Sequence, residues 1–346
     1  MFINALEFLH IFSIGCHHFF MKAIVHSKFG PPKVLYVKEI DKPVPKEDEV
    51  LIEVAAAEAT KSDCEIRSQT FPVKWFALPL RFVFGFKTPK IPVLGGYFSG
   101  KIVAVGDKVN HFKCGDHVFG TAGVHFGAYA QFMCLSENSA IAPKPDNMSF
   151  EEAAAVPLGG LNALHFLNIA KLKKGEQLLI NGAGGSIGAH AIQIAKSIGA
   201  KVTAVDKKSK EEFLRNIGAD HFIDYQKESI SKGDRRYDVV LNMVVKTPYS
   251  DCVKILNPAG RYLIGNPKIS DMLRSLITSK FTNKSASFSL AQETKEGLLE
   301  LKSMIEAEKI APLVDKVYEY HHAAEAHERV ETEQRLGVVV IKLGNE

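Results

Sequence analysis

The sequence predicts an α/β protein of two domains, in which an antiparallel, barrel-like β domain precedes a doubly wound parallel sheet. Three observations predict this fold class. Residues 22–145 carry short apolar runs separated by Gly, Pro and Asp turns. Residues 161–288 alternate apolar strands with helical patterns, which is typical of a parallel sheet. Between Gln177 and Asp206, a strand, a glycine-rich turn, a helix and a second strand follow one another directly.

Length and composition set limits on the class of protein. The chain has 346 residues, enough for two domains, and its composition is that of an ordinary globular protein. A net charge of +4 is too small to indicate a nucleic-acid partner. Five cysteines, with no CxxC pair, indicate reduced thiols, no disulfide framework and a cytoplasmic location.

The first twenty residues, MFINALEFLHIFSIGCHHFF, differ from the rest of the chain. They are apolar and contain no Lys or Arg, so they lack the basic region of a secretory signal. Glu7 and three histidines interrupt the apolar stretch that a membrane span would need. We interpret residues 1–20 as an extension that precedes a natural start at Met21. A loose membrane-surface anchor is the alternative.

The elements of the first domain, residues 21–150, are read from apolar runs between turns. The predicted strands are 22–26, 50–58, 101–106 and 128–135. Residues 147–149, Asn-Met-Ser, are expected to cap a helix that begins near Phe150, with Glu151 and Glu152 in its first turn.

The second domain, residues 151–290, and the segment 291–346 complete the chain. Predicted strands are 177–181, 201–205, 220–223, 238–242 and 261–264, and predicted helices include 210–217, 249–256 and 294–308. The apolar run at 337–343 has no place in the parallel sheet. We therefore expect segment 291–346 to return to the first domain.

The unit from Gln177 to Asp206 predicts a dinucleotide site. Glycines in the turn allow close approach of the backbone to a pyrophosphate, and the helix that begins near Ile187 directs free N–H groups toward it. Gly199 follows the helix where a C-capping glycine is expected. The predicted cofactor-binding residues are Gly182, Ala183, Gly184, Gly185, Ser186, Ile187, Gly188, Asp206, Lys207 and Lys208.

The choice between NAD and NADP depends on the end of this unit. Asp206 is suited to accept hydrogen bonds from the ribose diol of NAD and to repel a 2′-phosphate. Lys207, Lys208 and Lys210 follow at once and offer cations for such a phosphate. We predict NAD(P)H as cofactor, with NAD(H) preferred.

Five further motifs carry a family resemblance. They are MKAIVHSKFGPPKVL at 21–35, PVLGGYFSGKIVAVGDKVNHFKCGDHVFG at 92–120, EEAAAVPLGGLNALHFL at 151–167, AGGSIG at 183–188 and RNIGADHFIDY at 215–225. In this order they resemble the medium-chain dehydrogenase/reductase superfamily, in its zinc-independent, quinone oxidoreductase-like (zeta-crystallin-like) branch. The resemblance implies a GroES-like antiparallel β-barrel domain, a Rossmann domain and a homodimer.

Zinc enzymes share this fold, so the metal ligands must be tested. Catalytic zinc needs thiolate and imidazole ligands. Alignment with the zinc alcohol dehydrogenases places Thr60 at the first cysteine, Gly96 at the histidine and Tyr97 at the acid that follows. We therefore predict no metal.

Without a Lewis acid, hydride transfer from a nicotinamide to an electrophilic acceptor is the favoured chemistry. We predict an NAD(P)H-dependent oxidoreductase that reduces a quinone or an α,β-unsaturated carbonyl. The alternatives are a zinc-free alcohol or aldehyde dehydrogenase and a non-catalytic dinucleotide-binding protein.

Thr60 and Asp63 are the predicted catalytic residues. Thr60 is expected to donate a hydrogen bond to a substrate oxygen, and Asp63 to orient the loop. The alternative is that both residues only stabilise a turn through side-chain-to-backbone bonds. Glu65 stands where some family members carry a tyrosine, which puts a tyrosine-assisted mechanism in doubt.

Segment 69–90 is aromatic and interleaved with Lys74, Arg81, Lys87 and Lys90. A long loop packed on its own core is the favoured interpretation, and a lid over the substrate cleft or a membrane-surface patch are the alternatives. As partners we expect a small hydrophobic carbonyl or quinone, no nucleic acid and no membrane contact. The homodimer is expected to form at the exposed edge of the parallel sheet, with RYLIG at 261–265 as a contributor.

Overall fold

The computed structural model describes residues 20–344, and its first strand begins at Phe20. The predicted extension therefore lies outside the described residues, except for Phe20. The first part of the chain is mostly strands, with two helices between β3 and β4. In order, they are β1 (Phe20–Val25), β2 (Tyr36–Asp41), β3 (Glu49–Ala59), α1 (Lys61–Ser68), α2 (Lys74–Phe84), β4 (Tyr97–Val105), β5 (His117–Thr121), β6 (Phe132–Ser136) and β7 (Ile141–Pro143).

The middle of the chain alternates helices and strands, as its periodicity predicts. The elements are α3 (Phe150–Ala154), α4 (Pro157–Ala170), β8 (Gln177–Asn181), α5 (Ser186–Ile198), β9 (Lys201–Asp206), α6 (Glu211–Asn216), β10 (His221–Asp224), β11 (Tyr237–Asn242), α7 (Tyr249–Lys254), β12 (Leu256–Ile264), α8 (Ile269–Phe281), β13 (Ser285–Phe288) and α9 (Lys295–Glu306). The last elements are β14 (Val314–Glu319), α10 (Ala323–Glu331) and β15 (Val338–Lys342).

Strands β8 to β13 form one parallel sheet in the order β10-β9-β8-β11-β12-β13. This is the doubly wound order in which the chain reverses direction beside the first strand, here β8. Because the carboxyl end of β8 lies at that switch point, the turn that follows it occupies the usual ligand position of the fold. The predicted Rossmann sheet is confirmed.

The first domain is built on a second sheet, in the order β14-β15-β3-β4-β5-β7, with β6 also paired to β3. Its pairs are antiparallel except for β14 with β15. β15 pairs with β3 through Val339 and Ala59, so the C-terminal segment returns to the first domain as expected. The predicted GroES-like barrel is thus completed by residues more than two hundred positions away in sequence.

Local rules explain most of the element boundaries. Ser149 caps α3 by accepting a hydrogen bond from the Glu152 amide, and the Glu152 carboxylate accepts one from the Ser149 amide. Gly199 ends α5 in the left-handed region at φ 89°. Both boundaries agree with the sequence prediction.

Two expectations were wrong. RYLIG belongs to β12, which lies between β11 and β13, so β13 and not RYLIG forms that edge of the sheet. Segment 69–90 is not a loop packed on its own core. It contains helix α2, of which only Phe84 is buried.

No helix within residues 20–344 combines the length and apolar character that crossing a bilayer requires.

Candidate active site

The turn between β8 and α5 forms the centre of the site. Gly182 has φ +86°, a conformation that side chains with a Cβ rarely adopt. A Cβ on Gly188 would lie 2.5 Å from the Gly182 carbonyl oxygen and 2.6 Å from the Ala183 Cα atom. The turn and the helix therefore meet in direct backbone contact, which glycine alone permits.

The N-terminus of α5 faces this turn without a side-chain cap. Gly185 occupies the N-cap position, and helix α5 begins at Ser186, one residue earlier than predicted. The first amides of the helix are left for an external acceptor, and the positive end of its dipole favours an anion. Ile187 lies within this first turn, whereas Ala183 is fully buried beneath it.

Asp206 ends β9 beside the glycine turn. One carboxylate oxygen accepts a hydrogen bond of 2.8 Å from the Gly184 amide, and the other accepts one of 2.8 Å from the Lys207 amide. The carboxylate therefore stabilises the turn as well as marking the expected ribose position. Asp206 is buried, so few solvent contacts compete with these bonds.

The three lysines after Asp206 differ in position. Lys208 is exposed and pairs with Glu211, and Lys207 is partly exposed. Lys210 is buried, with its ammonium 3.9 Å from the Asp206 carboxylate and 3.2 Å from the Gly184 carbonyl oxygen. Burial lowers the pKa of Lys210, and Asp206 opposes that shift. Of the three lysines, Lys210 is the one whose ammonium lies beside the Asp206 carboxylate.

The C-terminal segment supplies a group to the site that the sequence analysis missed. The Gly337 amide donates to the Gly184 carbonyl oxygen at 3.4 Å, which places the segment against the glycine turn. The Arg335 guanidinium lies 3.5 Å from the position that a Cβ on Gly185 would take. The only sequence signal was the predicted return of strand 337–343 to the first domain.

Three buried polar atoms at this helix end have no hydrogen-bond partner among residues 20–344. They are the Ser186 Oγ, the Arg335 Nε and the Glu58 Oε2. Glu58 is a fully buried residue of β3. Ser186 and Arg335 both lie close enough to favour its ionised form. Burial has the larger effect and raises the pKa of Glu58 well above the usual range. A hydroxyl and a guanidinium at a free helix N-terminus are the donors that a diphosphate requires. The residues present therefore fit a dinucleotide.

Thr60 and Asp63 lie together at the start of α1. The Thr60 hydroxyl donates to an Asp63 carboxylate oxygen at 2.6 Å, and accepts from the Asp63 amide at 3.0 Å. That same carboxylate oxygen accepts from the Thr60 amide at 3.0 Å, which completes a capping box. In this arrangement the hydroxyl hydrogen is already used, so Thr60 can offer a substrate only an acceptor lone pair.

A buried chain of hydrogen bonds runs from Arg67 to Asp63. Arg67 Nε donates to His327 Nδ1 at 3.2 Å, so His327 carries its hydrogen on Nε2 and donates to the Tyr129 hydroxyl at 3.0 Å. The Tyr129 hydroxyl lies 3.5 Å from Asp63, whose other oxygen accepts from the Gly95 amide. Burial, with Arg67 adding to it, lowers the pKa of His327 to about 3, so the imidazole is neutral. The chain fixes the orientation of Asp63.

A second cluster joins strands β4 and β5 to the segment before α9. The Tyr97 hydroxyl and the Thr121 hydroxyl both donate to Glu293, the latter at 2.8 Å. Burial and the Glu293 carboxylate raise the pKa of Tyr97 well above its usual value, so the phenol keeps its proton. Glu293 precedes α9 and was not singled out from the sequence, because an isolated acid in a polar stretch gives no pattern.

The positions aligned with zinc ligands hold Thr60, Gly96 and Tyr97. Across residues 20–344, no group of three or more His, Cys, Asp or Glu side chains is arranged to hold a metal ion. The four cysteines in this part of the chain, Cys64, Cys114, Cys134 and Cys252, are free thiols. Burial raises the pKa of Cys64 and of Cys252 to about 12, so neither is a ready thiolate ligand.

Comparison with known proteins agrees with both domains. Residues 46–146 match the family described as "Alcohol dehydrogenase GroES-like domain", and residues 217–341 match "Zinc-binding dehydrogenase". The quinone oxidoreductase of Mus musculus is 31% identical over 325 residues, which cover 90% of this chain and 94% of that protein.

Two plant reductases are also similar. The 2-methylene-furan-3-one reductase of Solanum lycopersicum is 29% identical, and the alignment covers 93% of this chain and 79% of that protein. The NADPH-dependent alkenal/one oxidoreductase of Arabidopsis thaliana is 30% identical over the same shares.

Among solved structures, the quinone oxidoreductase from Coxiella burnetii superposes with a TM-score of 0.83 at 30% identity, covering 94% of this chain and 100% of that one. Sequence, motif order and fold therefore agree, and the chain belongs to the medium-chain dehydrogenase/reductase superfamily, among the relatives of its quinone oxidoreductases.

Proposed function

We propose that this protein is an NAD(P)H-dependent oxidoreductase that transfers a hydride to a quinone or to an α,β-unsaturated carbonyl. The observation that carries the proposal is the glycine turn before α5. The helix has no side-chain cap there, and the Ser186 Oγ and the Arg335 Nε have no hydrogen-bond partner among residues 20–344, while the Arg335 Nη2 pairs with Glu333. Relatives with similar sequences are named as quinone, furanone and alkenal/one reductases, which supports a quinone or an α,β-unsaturated carbonyl as the hydride acceptor.

The chain's own residues bind and orient the cofactor and the substrate. A reduced nicotinamide supplies the hydride when it is bound. We propose that the α5 amides, Ser186 and Arg335 hold its diphosphate, and that Asp206 accepts from the adenosine ribose. Thr60 and Asp63 remain the proposed substrate-side residues. A quinone or enone oxygen can only accept, so the Thr60 hydroxyl would donate to it by turning away from the Asp63 carboxylate, which holds Thr60 in place until then. The acceleration of hydride transfer would then come mainly from alignment of the hydride donor and the acceptor in a site from which water is excluded.

The experiment that tests this function is cofactor oxidation against a panel of acceptors. NADH and NADPH are mixed with the protein and with quinones, enones, alkenals and simple aldehydes, with and without a chelator. We expect turnover with quinones or enones that the chelator leaves unchanged. Measurable cofactor binding without turnover of any acceptor would instead indicate a binding protein, and loss of turnover with chelator would indicate a metal.

For the cofactor we propose NAD(H). The Asp206 carboxylate stands at the expected ribose position, and its charge opposes a 2′-phosphate. Replacement of Asp206 by Ser should shift the ratio of catalytic efficiencies toward NADPH, because the buried Lys210 cation then lacks its neighbouring anion. Lys201→Ser is the matched control, since Lys201 is exposed and lies at the opposite end of β9 from Asp206. An unchanged ratio in Asp206→Ser would refute the assignment.

Two further proposals concern the setting of the enzyme. We propose a cytoplasmic location, on the basis of the free cysteines. We also propose a homodimer that forms through β13, because this strand ends the parallel sheet with one edge unpaired by any other described strand. Equilibrium sedimentation of the protein, compared with a variant carrying Phe288→Asp at an exposed residue of β13, tests the dimer. A variant that sediments as the parent does would exclude this edge.

A further inference from the structure

Glu58 is a buried acid to which the proposed function gives no role. It lies in β3 of the first domain, two residues before Thr60, and is 1% exposed. Its partner across the sheet is Val340 of β15, the strand that continues the segment of Arg335. In the described part of the chain, residues 20–344, the Glu58 Oε2 has no hydrogen-bond partner. A buried carboxyl oxygen without a partner is costly, so its place beside the α5 N-terminus calls for a physical reason.

The Glu58 carboxyl is neutral in this setting. Burial is the largest influence on its pKa and raises it well above the usual range. The Ser186 hydroxyl and Arg335 favour the ionised form, whereas Asp63 and Glu293 oppose it. A neutral carboxylic acid carries one O–H, so Glu58 has a hydrogen to donate. Arg335 offers no acceptor atom, which leaves the Ser186 Oγ as the acceptor beside Glu58.

Packing fixes the Ser186 oxygen but leaves its hydrogen free to turn. A Cβ on Gly159 of α4 would lie 2.6 Å from the Ser186 Oγ and 2.6 Å from the Ser186 carbonyl oxygen. That carbonyl oxygen accepts a hydrogen bond of 2.8 Å from Nδ1 of His190, which is neutral because burial lowers its pKa to about 4. The Ser186 side chain is therefore held against α4, and only rotation of its hydroxyl decides where the hydrogen points.

We propose that Glu58, as a neutral acid, donates its hydrogen to the Ser186 Oγ and thereby directs the Ser186 hydroxyl hydrogen to the cofactor diphosphate. Neither oxygen has a partner among residues 20–344, so the bond between them would form when the diphosphate accepts from Ser186. An ionised Glu58 would instead accept from the Ser186 hydroxyl and withdraw its hydrogen from the diphosphate. Glu58 is thus a positioning residue that acts through Ser186 from the other domain. The proposal rests on the proposed function, because it requires a dinucleotide at the α5 N-terminus.

A double-mutant cycle on the full-length protein tests the coupling. The probe is ADP-ribose, which carries the diphosphate and lacks the nicotinamide, and its dissociation constant is measured by titration calorimetry. We expect Glu58→Leu to weaken binding about fivefold, the loss of one neutral hydrogen bond, and Ser186→Ala to weaken it at least about tenfold. The double variant should bind as Ser186→Ala does, because Glu58 acts only through Ser186. Losses that multiply in the double variant would overturn the proposal.

The conservative variant Glu58→Gln separates the neutral acid from a carboxylate. Its amide N–H can donate to the Ser186 Oγ as the acid does, so the affinity for ADP-ribose should stay within about twofold of the parent. If Glu58 served as an anionic partner of Arg335, Glu58→Gln would weaken binding as much as Glu58→Leu, and the proposal would be wrong. Glu53→Leu is the matched control, because Glu53 lies in the same strand and is exposed. An equal loss of affinity in Glu53→Leu would also overturn the proposal.

Infrared difference spectroscopy reads the protonation state of Glu58 without relying on Glu58→Leu, should circular dichroism show that this variant does not fold. A carboxylic acid has a carbonyl stretching band that a carboxylate lacks. We expect such a band in the parent, shifted when ADP-ribose binds, and its loss in Glu58→Gln. No difference between the two spectra would overturn the proposal. A parent that binds neither ADP-ribose nor NADH would refute the proposed function itself, whereas binding of both with no effect of Glu58→Leu refutes only the role of Glu58.

Discussion

Replacement of Gly188 by alanine tests whether the glycine turn is held by backbone contact. The added Cβ would lie 2.5 Å from the Gly182 oxygen, 2.6 Å from the Ala183 Cα and 2.8 Å from the Ala183 oxygen. All three are backbone atoms, so no side chain can rotate away. Overpacking of this kind costs about 3 kcal/mol, and alanine in place of a helical glycine returns about 1 kcal/mol. The net loss of unfolding free energy is then about 2 kcal/mol.

Gly185, three residues earlier, provides the matched comparison. Its backbone is extended at φ −94°, and an added Cβ would meet only the Arg335 guanidinium at 3.5 Å and the Gly182 oxygen at 3.9 Å. Alanine therefore fits the protein itself. It does, however, place a methyl group where the proposed diphosphate approaches the α5 amides. We expect Gly185→Ala to keep its stability and to lose at least about tenfold in cofactor affinity, equivalent to the loss of one charge-assisted hydrogen bond.

Thermal denaturation and cofactor fluorescence titration distinguish the two effects. The melting temperature should fall by about 3 °C in Gly188→Ala and stay within about 1 °C of the parent in Gly185→Ala. Both variants should bind NADH or NADPH more weakly. The reasoning is refuted if Gly188→Ala is as stable as the parent. It is also refuted if Gly185→Ala binds both cofactors with unchanged affinity, because the turn would then not be the diphosphate site.

Two further predictions concern residues around α1. Arg67→Met removes the buried guanidinium that bonds His327, the Gly30 carbonyl oxygen and Glu331, and should lower the unfolding free energy by about 3 kcal/mol. Arg236→Met, at an exposed arginine bonded only to backbone oxygens, should change it by less than about 0.5 kcal/mol in the same chemical denaturation. An equal loss of unfolding free energy in the two variants would contradict a stabilising role for the buried bonds of Arg67. Burial raises the pKa of Glu65 from 4.5 to about 7, opposed by Lys61. Because the folded pKa is the higher one, its stabilisation is complete below pH 4.5 and is lost as pH rises through 7. Between about pH 5 and about pH 8 the parent should lose on the order of 1–2 kcal/mol relative to Glu65→Gln, after allowance for solvent screening. Parallel pH profiles would contradict the raised pKa.

Where a pattern is local and repeated, the sequence predicts the structure well. The strand 177–181, the glycine turn, the helix and its C-cap at Gly199 are each specified by residues within a few positions of one another. Apolar runs fix the buried strands, and capping residues fix the helix ends. The same local grounds suggested that Thr60 and Asp63 stabilise a turn through side-chain-to-backbone bonds, and such bonds are present as the capping box of α1.

What the sequence could not predict depends on residues that are distant in the chain. Arg335 reaches the glycine turn only because β15 pairs with β3, and Lys210 is buried only because its side chain crosses Gly184. Neither residue stands in a pattern that distinguishes it from a solvated cation. RYLIG has the apolar character of an edge candidate, but the short strand Ser285–Phe288, with little apolar signal, covers it. A sheet edge is a property of pairing order and not of composition.

The glycine turn connects these observations physically. It receives the Gly337 amide and the Arg335 guanidinium from a segment that continues directly into β15, a strand of the first domain. An anion held between the α5 amides and Arg335 would therefore touch both domains at once, and its binding energy would favour the arrangement in which they approach each other. Tyr97 and Glu293 join β4 of the first domain to the segment before α9. Cofactor binding should thus stabilise the contact between the domains as well as the Rossmann sheet. Arg335 can take part because the pairing of β15 with β3 holds it beside the glycine turn.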